Sequence, residues 1–260
     1  MNIIHKGASI YYTDEGKGLP VVLLHGFLEN KTMWDNFVGP LTHNYRVICI
    51  DLLGHGQSEC TGYIHTMENM AAAVYAVVSI LKISKIQIIG HSMGGYVGIA
   101  FAKAFPKITA GLCLLNSTPR PDDLARKKIR TRANEMAKTQ YEQLIRMSFV
   151  NLFDPEYRKL NNEDISLALE QALKTPIQGY IAANAGMSLR QDHSDFWRKS
   201  TIKKGIIVGT TDSIIPSDIE EELFLSYCDF FKNISGGHML HISNPEQVLI
   251  ALKGFLNYLC

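Results

Sequence analysis

Apolar residues along this chain fall into two alternating patterns. Short, nearly continuous runs recur at Pro20–Leu24, Tyr45–Ile50, Ile86–Ile89, Ile108–Leu115 and Gly205–Gly209. A half-exposed strand would alternate apolar with polar residues, so uninterrupted runs predict strands covered on both faces. Between them the spacing changes. From Thr66 onward, Met67, Met70, Ala71, Val74, Val77, Val78 and Leu81 share one stripe at three- and four-residue intervals, which predicts an amphipathic helix. Tyr96–Ala102 reads as another helix, stopped near Pro106, and a short one around Thr32–Val38 carries Trp34 and Phe37 as packing residues. Ser9–Thr13 alternates briefly before the turn-like Asp14–Gly18. Ser226–Ile234 is read as the last strand, and Asn244-Pro245-Glu246-Gln247 opens a terminal helix with its cap, Pro and Gln in favoured places.

Strands alternating with helices predict a mostly parallel sheet with helices on both faces. The alternation breaks between Asn116 and about Arg190, where Asp122–Lys138, Tyr141–Asn151, Asn161–Leu173 and Pro176–Met187 are helical in character and no strand intervenes. The expected organisation is therefore an α/β core of residues 1–116 and 191–260, interrupted by a helical insertion at 117–190.

Composition narrows the function by exclusion. A net charge of +1 gives no reason to expect nucleic acid or an anionic membrane surface as partner. The longest strongly apolar stretch, Ala71–Leu81, is far too short to span a bilayer. The first residues lack a basic region followed by an apolar core, so no signal peptide is expected. Cys49, Cys60, Cys113, Cys228 and Cys260 are scattered and odd in number, without a C-x-x-C pair. They read as free thiols suited to a reducing cytoplasm, and neither a cysteine nucleophile nor a zinc site is favoured.

Candidate chemistry concentrates at Gly90-His91-Ser92-Met93-Gly94, between the run Ile86–Ile89 and the helix that follows. A G-x-S-x-G pattern occurs by chance in roughly one chain of this length in ten, so the pentapeptide alone is weak. Its place between a strand and a helix makes it strong: a serine pushed above a sheet by a strained turn needs neighbours without side chains. The competing reading is a capping serine in a glycine-rich turn.

On this motif and its setting, the chain resembles the α/β-hydrolase superfamily. The resemblance implies an α/β-hydrolase fold and a Ser92, Asp212, His238 triad, in the family's chain order. It makes Asp212, in Gly209-Thr210-Thr211-Asp212-Ser213-Ile214-Ile215-Pro216, the acid. The competing acid position, after Leu114-Leu115, holds Asn116-Ser117-Thr118, with no carboxylate before Asp122. His238 directly follows Ser235-Gly236-Gly237 ahead of the Asn-Pro-Glu helix start and is preferred as base over His241. Backbone N–H groups of Phe27, in His25-Gly26-Phe27, and of Met93 are the implied oxyanion donors, with His25 bracing the loop. Asp51 and His55, in the D-x-x-G-x-G-x-S stretch Asp51–Ser58, are implied to be scaffold.

The insertion would be a cap over the site. Its Arg126, Lys127, Lys128, Arg130 and Arg132 are either a solvated face or an attractor of anionic substrate. Tyr141, Met147, Phe149, Phe153, Tyr180 and Met187 either line a pocket or pack the cap. The implied activity is hydrolysis of a carboxylic ester, thioesters included, of a small or medium acyl group through an acyl-enzyme. A C–C bond hydrolase, a lyase of the menaquinone-pathway type, a perhydrolase and a non-catalytic receptor share this fold and stay open as alternatives. A serine at the elbow argues against dehalogenases and epoxide hydrolases, which need a carboxylate there. The partner is a small acyl substrate; no metal, nucleotide or flavin motif is present, so no cofactor is expected.

Overall fold

The apolar runs lie side by side in the computed structural model, which describes residues 1–215 and 225–258. Strands β1 (Asn2–His5), β2 (Ala8–Gly16), β3 (Leu19–Leu24), β4 (Tyr45–Ile50), β5 (Ile86–His91), β6 (Thr109–Leu115), β7 (Lys203–Gly209) and β8 (Phe230–Ile234) form one sheet, in the order β1-β2-β4-β3-β5-β6-β7-β8. Only the β1–β2 and β2–β4 pairings are antiparallel. The rest are parallel.

The uninterrupted runs have a direct cause. In β3, Val22 and Leu24 face one core while Val21 and Leu23 face the other. Leu112 and Leu114 of β6 divide from Cys113 and Leu115 in the same way. One core is closed by helices α2 (Met67–Ile80) and α3 (Met93–Ala104). The other is closed by α1 (Asp35–Thr42) and the C-terminal helix Pro245–Tyr258, with Trp34, Phe37 and Phe255 fully buried. With both faces covered, the central positions of these strands have no water to face, while the start of β3 at Leu19 stays exposed.

Two departures lie at the sheet edge. Strand β1 has no apolar signature because its residues are exposed or half-buried. Strand β2 runs through Asp14-Glu15-Gly16, expected as a turn, because Asp14 sits opposite Ile48 and its carboxylate takes two hydrogen bonds from Arg46, at 2.8 and 2.6 Å. The turn follows at Gly16 and Gly18, whose φ values are +78° and +115°.

Between β6 and β7 the described chain is helical: α4 (Leu124–Phe149), α5 (Pro155–Leu160), α6 (Asn162–Leu173), α7 (Ile177–Leu189) and α8 (Ser194–Lys199). The expected break between Lys138 and Tyr141 is a kink inside α4 at Gln140, with φ −137° and ψ 44°. Helix α5 was not anticipated, although Asp154 caps it and Pro155 stands in its first turn. Phe149, Phe153 and Tyr180 pack into a third apolar cluster with Leu28 and Met239 of the core. Met147 does neither of the things expected of it, being 62% exposed. Cys49 and Cys113 are buried free thiols, and Cys60 is a free thiol as well; Cys260 and Pro216 lie outside the described residues.

Helix α7 is pressed against the core by two glycines spaced two turns apart. A Cβ at Gly179 would strike the Gly54 carbonyl, and one at Gly186 the carbonyl of His65. The His65 N–H donates to the Ala182 carbonyl at 2.9 Å in the same contact. Gly186→Val is therefore expected to cost about 1–3 kcal/mol of stability, as overpacking does elsewhere, measured by denaturant unfolding.

Candidate active site

Ser92 stands between the last residue of β5 and the first of α3, with φ +48° and ψ −113°. A non-glycine residue pays of order 1–3 kcal/mol for such a backbone. The turn closes because its flanks carry no side chains. A Cβ at Gly90 would strike the Gly94 carbonyl, and one at Gly94 would strike the carbonyls of Leu24 and His25. Gly95 contributes as well, since a Cβ there would meet Ser117 Oγ, which donates at 2.7 Å to the Ser92 carbonyl.

The loops after β7 and β8 bring the other expected residues to this serine. His238 Nε2 is 2.9 Å from Ser92 Oγ, and its Nδ1 is 2.8 Å from Asp212 Oδ2. A carboxylate only accepts, so Nδ1 carries the proton and Nε2 offers its lone pair to the Ser92 hydroxyl. Asp212 Oδ1 accepts from the N–H groups of Ile214 and Ile215 at 2.8 and 3.0 Å. Burial raises the Asp212 pKa, but the charge and hydrogen bond of His238, with the other donors, outweigh it and hold the carboxyl below its usual range.

One of those donors was not foreseen. Asn116, at the competing acid position, gives its Nδ2–H to Asp212 Oδ2 at 2.7 Å. Asp122 lies elsewhere, bound to Arg130 and to Arg190 Nη1, the latter at 2.7 Å.

His25 braces the loop after β3. Its Nε2 accepts the Leu52 N–H at 2.9 Å and its Nδ1–H donates to the Gly26 carbonyl at 2.8 Å. Among the described residues, neither the Phe27 N–H nor the Met93 N–H has an acceptor. Asp51 is occupied by the Lys31 N–H and Nζ and the Gln57 N–H, at 2.7, 3.1 and 3.1 Å. Burial pushes His55 down to about 3, so it is a neutral ring in the same scaffold.

Above Ser92 lies a cavity of about 240 Å³, walled by Phe27, Tyr180 and Met187 among others, with Arg126 and Arg130 on its rim. A more open hollow of about 450 Å³ lies beyond Leu28, Phe149 and Met239 and does not reach Ser92. Arg130 is committed to Asp122 and to Asn184 Oδ1, whereas Arg126 gives an Nη2–H to the Ile214 carbonyl at 3.1 Å.

Glu29, His91 and His241 bring three atoms of metal-binding type within 4.8 Å of one another. They face each other at direct hydrogen-bond distance, 2.7 Å from His91 Nδ1 and 3.0 Å from His241 Nε2 to the Glu29 oxygens. The His91–Glu29 contact is a hydrogen bond, whereas Glu29 Oε1 and His241 Nδ1 have no hydrogen-bond partner among the described residues.

Residues 20–245 match the family model described as the alpha/beta hydrolase fold, and the chain belongs to that family. A solved thermophilic esterase from Thermogutta terrifontis, with malate bound, superposes with a TM-score of 0.93 at 31% identity, over 99% of this chain and 97% of that one. A pyrrolizixenacetamide deacetylase of Xenorhabdus hominickii is 25% identical over 98% of each chain. A 3-oxoadipate enol-lactonase of Acinetobacter baylyi is 28% identical over 86% of this chain and 83% of its own. The protein is thus a hydrolase of this family.

The Asp122 cluster has its own pH signature. Burial raises the Asp122 pKa, but Arg130 and Arg190 lower it further, so the folded value lies below the unfolded one. Its contribution to stability is complete above the unfolded carboxylate value, about 3.9, and fades as pH falls through the folded one. Asp122→Asn is expected to flatten the acid limb of a stability-versus-pH curve and to change kcat by less than about tenfold, well short of losing an acid–base catalyst.

Proposed function

We propose that the protein hydrolyses carboxylic esters of small or medium acyl groups through an acyl-enzyme on Ser92. The observation that carries this reading is the continuous hydrogen-bonded line from Ser92 Oγ through His238 to Asp212, at the floor of a largely apolar cavity. A serine hydroxyl attacks poorly until a base takes its proton, and His238 Nε2 is placed to do so. Asp212 holds the tautomer and stabilises the imidazolium that forms. The Phe27 and Met93 N–H groups, the latter at the N-terminus of α3, receive the oxyanion. His238 then returns the proton to the leaving alcohol, and water repeats the cycle on the acyl-enzyme. Relatives named as esterase, deacetylase and lactonase support transfer of an acyl group to water.

In this reading residues 117–190 form a cap that selects substrate. Tyr180 and Met187 favour an aliphatic or aromatic chain over a sugar. Of the five cap cations considered, Arg126 and Arg130 reach the cavity, and Arg126 has a neutral carbonyl as its hydrogen-bond partner. Arg126 is then available as a contact for a carboxylate on the substrate, a use compatible with the malate bound to the similar esterase.

Three outcomes test this. A fluorophosphonate probe is expected to label Ser92 alone, and Ser92→Ala to lose the label and about 10⁴–10⁶ of kcat; labelling of another serine would displace the assignment. Met93→Ala keeps its N–H and is expected to retain kcat within about tenfold, far from the 10²–10³ that follows loss of an oxyanion donor. Arg126→Glu is expected to raise KM for esters bearing a carboxylate more than for neutral ones, an effect that added salt should reduce. Equal response of the two ester classes would leave Arg126 as a rim residue without a role in selection.

A further inference from the structure

Glu29 is buried at the junction of three loops that the proposed chemistry uses. Its Oε2 accepts the Gly26 N–H at 2.6 Å, in the loop that carries Phe27. The same oxygen is 2.7 Å from Nδ1 of His91, the residue before Ser92. Its Oε1 faces His241 Nε2 at 3.0 Å, three residues after His238. On the far side of its ring, His91 Nε2 is 3.0 Å from the backbone carbonyl oxygen of His238. Room for this exists because position 26 is glycine: a Cβ there would strike Glu29 Oε2 and crowd His91 Nδ1.

Hydrogen-bond accounting assigns the proton. A carbonyl oxygen can only accept, so His91 Nε2 must carry hydrogen. The Glu29 carboxylate, which takes the Gly26 N–H and faces His91 at 2.7 Å with His241 Nε2 3.0 Å away, is suited to remain ionised, and His91 Nδ1 must then carry hydrogen too. We propose that His91 is an imidazolium held by Glu29, and that it is a positioning residue whose Nε2–H fixes the His238 backbone so that the His238 ring faces Ser92. This rests on the reading of Ser92 and His238 as nucleophile and base.

The surroundings agree. Burial disfavours a charged His91, but the charge and hydrogen bond of Glu29, with smaller help from the His238 carbonyl and Asp212, raise its pKa above the ordinary value. Burial acts on Glu29 in the opposite sense to His91 and His241, and the two histidines win, leaving the carboxyl well below its ordinary range. His241 is driven down, first by burial, and stays neutral with its Nε2 3.0 Å from Glu29 Oε1. The titratable groups facing His91 are Glu29 and His25 from the loop after β3, Asp212 from the loop after β7, and His238 and His241 from the loop after β8. Asp212 is spent on His238, so Glu29 is the counter-charge.

The test begins with the unaltered, ¹⁵N-labelled protein. A two-bond ¹H–¹⁵N spectrum at pH 8 is expected to show both ring nitrogens of His91 protonated, the ring being assigned by its absence from the His91→Gln spectrum. An unprotonated nitrogen on His91 at pH 8 overturns the proposal, whatever the variants do. With a reporter ester, His91→Leu is expected to lower kcat about 100-fold, the scale of a small displacement of a catalytic group, with KM within about threefold. His91→Gln, whose amide can still donate to the His238 carbonyl, is expected to recover at least about tenfold of that loss. A folded His91→Leu protein with unchanged kcat, or with a change confined to KM, overturns the positioning role. Activity that survives Ser92→Ala discredits the serine reading itself, so the two failures are told apart.

Discussion

The strained backbone at Ser92 is the constraint on which the remaining structure depends. A residue held at φ +48° returns to an ordinary conformation unless its surroundings forbid it. Here the surroundings are close-packed backbone and one side chain: Gly90 against Gly94, Gly94 against the end of β3, and Ser117 Oγ on the Ser92 carbonyl. The opposing force is the packing of β5 and α3 into the interior, where Ile88, Val97 and Phe101 are fully buried. The large apolar core thus maintains a small, costly distortion at one point, and the distortion is what lifts a hydroxyl out of the sheet.

A buried polar group without a partner costs about 1–3 kcal/mol, and that cost organises the loops around the serine. Several donors there meet acceptors that belong to a different strand end. Asn116, after β6, serves Asp212, after β7. His25, after β3, receives the Leu52 N–H, after β4. Glu29 and His91 tie the loop after β3 to the loop after β8. The strand ends of a parallel sheet supply loops close enough for this cross-bracing, which is how residues as distant in sequence as Ser92 and His238 come within 2.9 Å.

Most of the core was legible in the sequence because a strand covered on both faces leaves an unbroken apolar run. Pro20–Leu24 and Tyr45–Ile50 are of this kind and match β3 and β4 closely. Strand β1 left no trace because it is an edge whose residues need not be apolar, and helix α8 because its six residues carry a single fully buried anchor, Trp197. At the site, the turn at Ser92 was readable from its flanking glycines, whereas Asp212 and His238 were reached only through the family resemblance; the structure brings the three within hydrogen-bond distance. Asn116 was passed over as the absence of a carboxylate, and Glu29 was not singled out at all. Their partners lie far away in the chain, at Asp212 and His91, and no local pattern records a contact between them.

The glycine contact of α7 bears on how this architecture can be diversified. Helix α7 is seated on Gly54 and His65 at backbone distance, so its position is set by main-chain shape at both surfaces. Helices α4 to α6 reach the core through side chains such as Phe149 and Phe153 beside Leu28 and Met239, and at one main-chain point between α4 and α5, where the Leu152 carbonyl accepts the His238 N–H at 3.0 Å and a Cβ at Gly237 would crowd Asp154. A chimera that exchanges α4 to α6 while keeping α7 would replace mostly side-chain packing, with one main-chain contact at Leu152 to reproduce. One that exchanges α7 would have to reproduce two paired backbones at once. The joint between old and new sequence therefore belongs before Ile177, and α7 is inherited with the core even though the chain order places it among the inserted helices.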